Sequence, residues 1–160
     1  MSFSYLLLGA NLGDRFSQLA KAVQEIERDI GSIFKSSSVF ETAAWGREEE
    51  PAYLNQVVYV ETNLAPFDLL KVINRIEEKL GRTRELKWES RLIDIDILFY
   101  NNAVINEPKL IIPHPYIHLR KFTLVPLAEI APELMHPILQ KSVQELLDEL
   151  DDPLEVEKMG

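Results

Sequence analysis

The clearest chemical signal in the sequence is a pair of aspartates that alternates with isoleucines. The segment Arg91–Leu98 reads Arg-Leu-Ile-Asp-Ile-Asp-Ile-Leu. In a β-strand, alternate side chains point to the same face, so Asp94 and Asp96 project together with Cα atoms roughly 6–7 Å apart. Two carboxylates at this spacing can hold one Mg²⁺ ion or bridge two, and substrate phosphates complete the metal shell. The alternative is a solvent-facing strand edge that carries two solubilising charges.

A cluster of basic residues directly precedes this pair and favours the phosphate interpretation. Arg82, Arg84, Lys87 and Arg91 fall within ten positions. Guanidinium groups match phosphate oxygens in bidentate fashion, and a cationic loop beside a metal pair has an obvious anionic ligand. The alternative is a solvated charge run, since two glutamates lie in the same segment.

Other segments contain residue types that suit ligand binding. His114 lies between two prolines that restrict its backbone, which suits phosphate binding or proton handling; an ordinary hydrogen-bonded turn histidine is the alternative. Trp45 or Phe122 could stack on a planar ring, although core packing explains an aromatic equally well. Asn55 offers donors and acceptors to a heterocycle edge. Gly9, in a turn before a helix, allows the backbone to approach a flat ligand closely.

Composition limits the classes of function. The chain has 160 residues and no cysteine, which excludes disulfides and thiolate chemistry. Its net charge of −9 argues against general nucleic-acid binding. No basic, apolar leader begins the chain, and no apolar stretch approaches the ~20 residues that a membrane helix needs. The expected location is the cytoplasm, without membrane or nucleic-acid partners.

The elements that must position these residues follow from hydrophobic periodicity. Strands are predicted at Tyr5–Leu8, Ile33–Thr42, Asn55–Thr62 and Leu92–Tyr100. Helices are predicted from Phe16 to Ile30, with Asp14 as N-cap and Gly31 as the C′ residue, from Pro66 to Gly81, and near Val143–Leu150. Short strands and turns are predicted between Asn102 and the last helix.

This order of elements is the split βαβ pattern of ferredoxin-like domains. The predicted fold class is therefore α+β, an α/β sandwich with a ferredoxin-like βαββαβ core and a C-terminal extension. Residues 1–160 are expected to form a single catalytic domain. Residues 151–160 are expected to be an acidic, solvated tail that frays.

Taken together, the motifs resemble the 6-hydroxymethyl-7,8-dihydropterin pyrophosphokinase family of folate biosynthesis. The resemblance runs from Tyr5 to about Pro132 and depends on an ordered set of five segments: Gly9–Gly13, Tyr53–Asn55, Gly81–Arg84, Arg91–Asp96 and Pro113–Phe122. It implies a ferredoxin-like fold with a cleft between a pterin pocket and an ATP pocket. It also implies diphosphate transfer from ATP to the pterin hydroxymethyl group, with release of AMP.

The resemblance implies a role for each matching residue. Asp94 and Asp96 would bind two Mg²⁺ ions and, with Arg82 and Arg91, form the catalytic group. The ATP site would comprise Glu77, Arg82, Arg84, Trp88, Arg91, Ile97, His114 and Arg120. The pterin site would comprise Gly9, Thr42, Ala43, Trp45, Tyr53, Asn55, Asp94 and Phe122. The chain departs from the family pattern at Ala43, Glu85, Glu89 and Ser90, where affinity and loop closure are the properties affected.

The expected ligands are therefore ATP, a small-molecule pterin and Mg²⁺, with no obligate protein partner evident. Two other readings remain open. A two-metal nucleotidyltransferase would release diphosphate instead of AMP. A non-catalytic ferredoxin-like ligand-binding module would have no need for paired carboxylates opposite clustered arginines.

Overall fold

The computed structural model describes residues 1–11, 13–42, 52–81 and 93–159. Its strands are β1 (Ser2–Ala10), β2 (Gly31–Ser36), β3 (Phe40–Thr42), β4 (Tyr53–Thr62), β5 (Asp94–Tyr100), β6 (Ile105–Glu107), β7 (Leu110–Ile112) and β8 (Val156–Lys158). Its helices are α1 (Arg15–Asp29), α2 (Pro66–Gly81), α3 (Lys121–Ile130) and α4 (Val143–Glu149), with a 3₁₀ turn at Ile117–Leu119.

The main sheet has the strand order of a ferredoxin-like domain. β5, β1, β4 and β3 are neighbours in that order, β2 also pairs with β4, and β8 extends the sheet beyond β3. Every one of these pairs is antiparallel. Because β1 and β4 lie in the middle while the chain passes β1-α1-β2/β3-β4-α2-β5, the predicted βαββαβ core is confirmed.

Helices cover both faces of this sheet. On one face, apolar residues of α1 and α2 pack against the even-numbered side chains of β1 and β4, among them Leu19, Ile26, Ile73, Ile76, Leu6, Leu8 and Val58. On the other face, α3 and α4 pack against Leu7, Val57 and Leu98 through residues such as Leu124, Leu127, Val143 and Leu146. Each fully buried aliphatic side chain contributes about 1.5–3 kcal/mol. The C-terminal extension therefore forms a second hydrophobic core with the sheet.

The start of α1 follows its predicted cap, and its end does not. The Asp14 side chain accepts a hydrogen bond from the N–H of Ser17 at 3.1 Å, as an N-cap does. Gly31, however, is the first residue of β2 and not a left-handed C′ residue. A Cβ atom at Gly31 would lie 1.8 Å from the carbonyl oxygen of Glu61, so close strand approach is the reason for glycine here.

Two predictions between the strands and the C-terminus are wrong. The strand predicted over Ile33–Thr42 is split into β2 and β3, which pair with different parts of β4. The region predicted as short strands and turns contains α3 as well as the β6–β7 hairpin. Pro126 lies inside α3, and its consecutive apolar residues Leu124–Leu127 hide the helical period.

The predicted fraying of the tail is also wrong for Val156–Lys158. These residues form β8 beside β3, and the N–H of Met159 donates to the carbonyl of Val39 at 2.8 Å. An edge strand presents unpaired N–H and C=O groups, which β8 satisfies on the outer side of β3. Within the ranges that the structure describes, no helix combines the length and apolarity that crossing a membrane would require.

Candidate active site

The two aspartates lie on the sheet face that α3 and α4 partly cover. Asp94 and Asp96 are half-buried on β5, opposite Gly9 and Leu7 of β1. Ile93, Ile95 and Ile97 are buried in the core on the α1/α2 side. The alternation predicted for this strand is therefore present, and both carboxylates share one face with Leu7.

A row of predicted pterin residues crosses the sheet from Asp94. Gly9 pairs with Asp94 on one side and with Asn55 on the other. Thr42 of β3 pairs with Tyr53 of β4, two positions along from Asn55. Directly paired residues share a face in antiparallel sheets, so these side chains and Asp94 collect at one end of the same surface.

Two polar atoms in this row are buried and lack a hydrogen bond to any residue that the structure describes. The amide nitrogen Nδ2 of Asn55 donates to the carbonyl of Leu8 at 3.3 Å. Its Oδ1, and the Oγ1 of Thr42, are buried and have no hydrogen-bond partner among the described residues. A buried acceptor without a donor is costly, which suits a site where a ligand N–H provides the bond.

The loop that carries His114 is attached to β5 by a β-bulge. Ile97 pairs with Leu6 and Phe99 pairs with Tyr5, which leaves Leu98 as an extra residue in the strand. The carbonyl of Leu98 accepts a hydrogen bond from the N–H of His114 at 3.0 Å. This hydrogen bond holds His114 beside the bulge, at a point on β5 that is two residues after Asp96.

His114 is positioned to be a neutral hydrogen-bond donor. Its Nδ1 accepts from the N–H of Tyr116 at 3.2 Å, so the neutral ring carries its proton on Nε2. Burial lowers the pKa of His114 below its ordinary value; nearby Asp96 raises it and Arg120 lowers it again. Asp96 and Arg120 are therefore both near enough to His114 to influence its pKa.

The guanidinium group of Arg120 lies over two aromatic rings. Its guanidinium carbon is 5.0 Å from the ring centre of Tyr116 and 5.5 Å from that of Phe122. Stacking of this kind fixes a guanidinium group in one plane. Phe122 is half-buried and packs against the second core, so it anchors the arrangement.

Sequence reasoning assigned no role to Tyr116 or to Arg15. Tyr116 contacts both Arg120 and the ring of His114, 5.8 Å away, and its place in the same proline-rich segment was the available signal. Arg15 donates from Nη1 to Glu41 and to the carbonyl of Ala52, both at 2.8 Å. It thereby joins the chain before and after residues 43–51, and no local pattern indicated that contact.

Two predicted nucleotide residues lie apart from the aspartate face. Ile97 is buried among the α1/α2 core residues, so its side chain is not on the surface that carries Asp96. Glu77 of α2 is also buried, and its Oε2 accepts a hydrogen bond from the N–H of Ile95 at 2.8 Å. The predicted site residues Ala43, Trp45, Arg82, Arg84, Trp88 and Arg91 lie outside the described residues.

The donor set of the aspartate pair fits magnesium. Mg²⁺ takes oxygen ligands, commonly one or two carboxylates, and leaves the remaining positions to water and substrate phosphates. Asp94 and Asp96 supply such oxygens from one strand face. In the described ranges there is no group of three or more histidine, aspartate or glutamate side chains arranged to enclose a metal ion.

Fold and site together define a class: ferredoxin-like α+β proteins with buried polar residues and an acidic pair at one end of the sheet. The family model of 7,8-dihydro-6-hydroxymethylpterin-pyrophosphokinase (HPPK) matches residues 5–132. This chain therefore belongs to the HPPK family.

Named relatives agree with that membership. The chain is 42% identical over 149 residues to the 2-amino-4-hydroxy-6-hydroxymethyldihydropteridine pyrophosphokinase of Aquifex aeolicus, covering 93% of this chain and 92% of the relative. It is 41% identical over 134 residues to the protein of the same name from Bacillus subtilis, covering 83% and 80%.

A solved structure shows the same fold. The Plasmodium falciparum HPPK-DHPS triple mutant S436F/A437G/A613T with STZ-DHP superposes with a TM-score of 0.77 at 19% identity. The match covers 92% of this chain and 43% of that one, so this chain spans less than half of the Plasmodium protein's length.

Proposed function

We propose that this protein transfers diphosphate from ATP to the hydroxymethyl group of 6-hydroxymethyl-7,8-dihydropterin and releases AMP, as a step of folate biosynthesis. The observation that carries the proposal is the shared sheet face: the aspartate pair lies on it with the row formed by Gly9, Asn55 and Thr42, and the N–H of His114 bonds to β5 at Leu98. Membership of the HPPK family and the names of its relatives support the same reaction. A location in the cytoplasm remains a prediction.

The pterin is proposed to bind across Gly9, between Asn55 and Asp94. The Oδ1 of Asn55 and the Oγ1 of Thr42 would accept from the N–H groups on the pterin edge, which satisfies both buried atoms. The side chain of Phe122 would stack on the pterin ring. Arg120 would keep its contact with Tyr116, the second aromatic ring that it lies over. Gly9 gives the flat ring its clearance, since a Cβ atom at this position would lie 2.9 Å from the Nδ2 of Asn55.

The triphosphate is proposed to lie beside Asp96, His114 and Arg120. Neutral His114 would donate from Nε2 to a phosphate oxygen, and Arg120 would balance the charge that develops there. Arg82, Arg84, Trp88 and Arg91 are proposed to complete the ATP site, as the family resemblance implies. Glu77 and Ile97 would contribute to the ATP site from the α1/α2 side of β5.

The chemistry is proposed to be an in-line displacement. The hydroxymethyl oxygen attacks the β-phosphorus and releases its proton to solvent, the bond from that phosphorus to the α,β-bridging oxygen breaks, and AMP leaves with the electron pair. Two Mg²⁺ ions at Asp94 and Asp96 would neutralise the triphosphate and acidify the attacking alcohol. The protein groups hold nucleophile and phosphate in line, which is where most of the rate enhancement arises.

Product analysis tests this function. After mixing with MgATP and 6-hydroxymethyl-7,8-dihydropterin, we expect AMP and the pterin diphosphate in equal amounts. Asp94→Asn and Asp96→Asn should each lower kcat about 100-fold or more, because several kcal/mol of charge stabilisation is lost. Asp151→Asn, a change at an exposed aspartate outside the pocket, is the matched control and should leave kcat unchanged.

Other products would contradict the proposal. Diphosphate release with nucleotide left on the acceptor would show a nucleotidyltransferase. Absence of turnover, combined with no binding of a MgATP analogue in calorimetry, would show a non-catalytic module.

A further inference from the structure

Besides the nucleotide contact proposed for it, the carboxylate of Glu77 makes a contact with the strand that carries the aspartates. It reaches from α2 to β5, where its Oε2 accepts a hydrogen bond from the N–H of Ile95 at 2.8 Å. Ile95 is the residue between Asp94 and Asp96. We propose that Glu77 is a positioning residue that fixes the aspartate pair through the backbone of β5; this rests on the proposed Mg²⁺ site.

The place of β5 in the sheet explains why such a contact is needed. β5 is at the end of the strand order, with β1 as its neighbour on one side. In an antiparallel pair, the N–H groups of successive residues point alternately toward and away from the partner strand. Since the Ile95 N–H points to Glu77, those of Asp94 and Asp96 point toward β1, where Gly9 and Leu7 face them.

The strand segment is therefore held from both of its edges. β1 fixes the two aspartates on the inner edge, and Glu77 fixes the residue between them on the outer edge. A Glu77 that is only 8% exposed keeps its acceptor oxygen away from competing water. A charged acceptor also binds an N–H more strongly than a neutral one.

The carboxylate cannot share the surface of the aspartates. α2 packs on the sheet face where Ile95 and Ile97 are buried, opposite the face of Asp94 and Asp96. Glu77 therefore acts on the metal ligands through main-chain geometry, as outer residues do when they orient the groups that bind a metal. Glu77 also lies one turn before Gly81, where α2 ends and the arginine-rich segment begins.

The experiment separates the hydrogen bond from the charge. Glu77→Gln keeps an acceptor oxygen at the same distance and removes the charge, whereas Glu77→Met removes both in a similar volume. Mn²⁺ binding, measured by electron paramagnetic resonance with α,β-methylene ATP present, reports on metal affinity without turnover. We expect E77M to weaken Mn²⁺ binding about 10-fold or more, and E77Q to stay within about 2-fold of wild type.

Amide hydrogen exchange in the metal-free protein provides an independent readout. The Ile95 N–H should exchange faster in E77M than in wild type and return toward the wild-type rate in E77Q. Glu25→Met is the matched control: Glu25 is also 8% exposed in the helical layer, but it binds Lys79 and Arg28. E25M should lower the melting temperature and leave Mn²⁺ affinity unchanged.

Specific outcomes would overturn the proposal. Wild-type Mn²⁺ affinity in E77M would do so, as would an E77Q defect equal to that of E77M, which would indicate a role for the charge itself. If E77M does not fold, Glu77→Asp keeps the charge but shortens the reach; wild-type affinity in E77D would overturn the idea equally.

The metal site and the positioning role can fail separately. If D94N and D96N bind Mn²⁺ as wild type does, the proposed metal site is wrong and the role of Glu77 falls with it. If those variants lose Mn²⁺ while E77M keeps it, the metal site stands and only the positioning role is wrong.

Discussion

The residues of the candidate site are polar, whereas the rest of the sheet face on which they lie is apolar. Leu7, Val57 and Leu98 on this face are covered by α3 and α4. At the end of the same face, Asn55 and Thr42 are 4% and 5% exposed, yet each has a buried atom without a partner among the described residues. Such atoms cost stability unless a ligand completes them, which supports the ligand-binding role proposed for these two residues.

Replacement of Gly9 by alanine tests the proposed pterin site with one added atom. An added Cβ would lie 2.9 Å from Nδ2 of Asn55, whereas its next contact is at 3.9 Å. Because the close atom ends a side chain, the Asn55 amide should move and the backbone should not. We expect the KM for the pterin to rise about 10-fold, a loss of about 1.4 kcal/mol in binding, with the KM for ATP unchanged in steady-state kinetics.

A matched change elsewhere shows whether the effect is local. Ser4→Ala alters β1 at the other end of the strand, where the hydroxyl donates to the carbonyl of Phe99 at 2.6 Å. It should lower the melting temperature without raising the KM for the pterin. Equal pterin KM values for wild type and G9A would argue against binding across Gly9.

The site residues that sequence could identify are those fixed by local periodicity. Alternation in a strand placed Asp94 and Asp96 on one face, because a period of two needs no tertiary information. The Glu77–Ile95 bond joins residues that are 18 positions apart. Contacts of this kind depend on how a helix packs on a sheet edge, which single-sequence patterns do not specify.

At the scale of elements, the C-terminal strand supports β3, which borders the proposed pterin site. β8 pairs with all of β3, with Thr42 opposite Val156, and Lys158 lies 3.6 Å from Glu129 of α3. Glu129 in turn accepts a hydrogen bond from the N–H of Ser38, just before β3. β3 is thus held between β4 and β8, and its last residue Thr42 borders the proposed pterin site.

Removal of residues 155–160 should therefore affect both stability and binding. Loss of β8 exposes one edge of β3, and partly exposed backbone hydrogen bonds contribute about 1 kcal/mol each. We expect the free energy of unfolding to fall by about 1–2 kcal/mol, faster amide exchange in Phe40–Thr42, and a higher KM for the pterin.

A point variant distinguishes the strand from its ion pair. Lys158→Ala removes only an exposed salt bridge, whose contribution is typically about 0–1 kcal/mol. It should behave as wild type in urea unfolding and in kinetics. If the shortened chain exchanges Phe40–Thr42 amides at the wild-type rate, β8 does not support β3.

Elements with strong local signals were predictable, and those fixed by tertiary pairing were not. α1 has a side-chain N-cap and an amphipathic stripe, α2 begins at a proline and has a similar stripe, α4 has a capping box, and the main strands have clear apolar runs. β8 has no such signal: Val156–Lys158 is a strand because β3 offers an open edge. α3 was missed because its apolar residues pack on several sides and Pro126 interrupts the expected pattern.

At the scale of the whole molecule, the buried histidines make the stability of the protein depend on pH. Burial lowers the pKa of His136 below its ordinary value of 6.5, and nearby His118 lowers it further. The Nδ1 of His136 accepts hydrogen bonds from the N–H groups of Ile138 and Leu139, at 3.2 and 3.0 Å. Protonation of that nitrogen would break both bonds, and His114 is subject to the same constraint through Tyr116.

The sign of the pH dependence follows from these lowered values. Below pH 6.5, histidines of the unfolded chain bind protons that the folded protein excludes, so proton uptake favours unfolding. The free energy of unfolding should be steady above that pH and fall as the pH drops from 6.5 toward the folded pKa values. Urea unfolding at pH 8, 7, 6 and 5 measures the trend.

His136→Asn provides the decisive comparison, because its Oδ1 can accept the same backbone bonds and does not titrate in this range. H136N should lose less stability than wild type between pH 7 and 5, and parallel curves for the two proteins would show that His136 is not a source of the acid sensitivity.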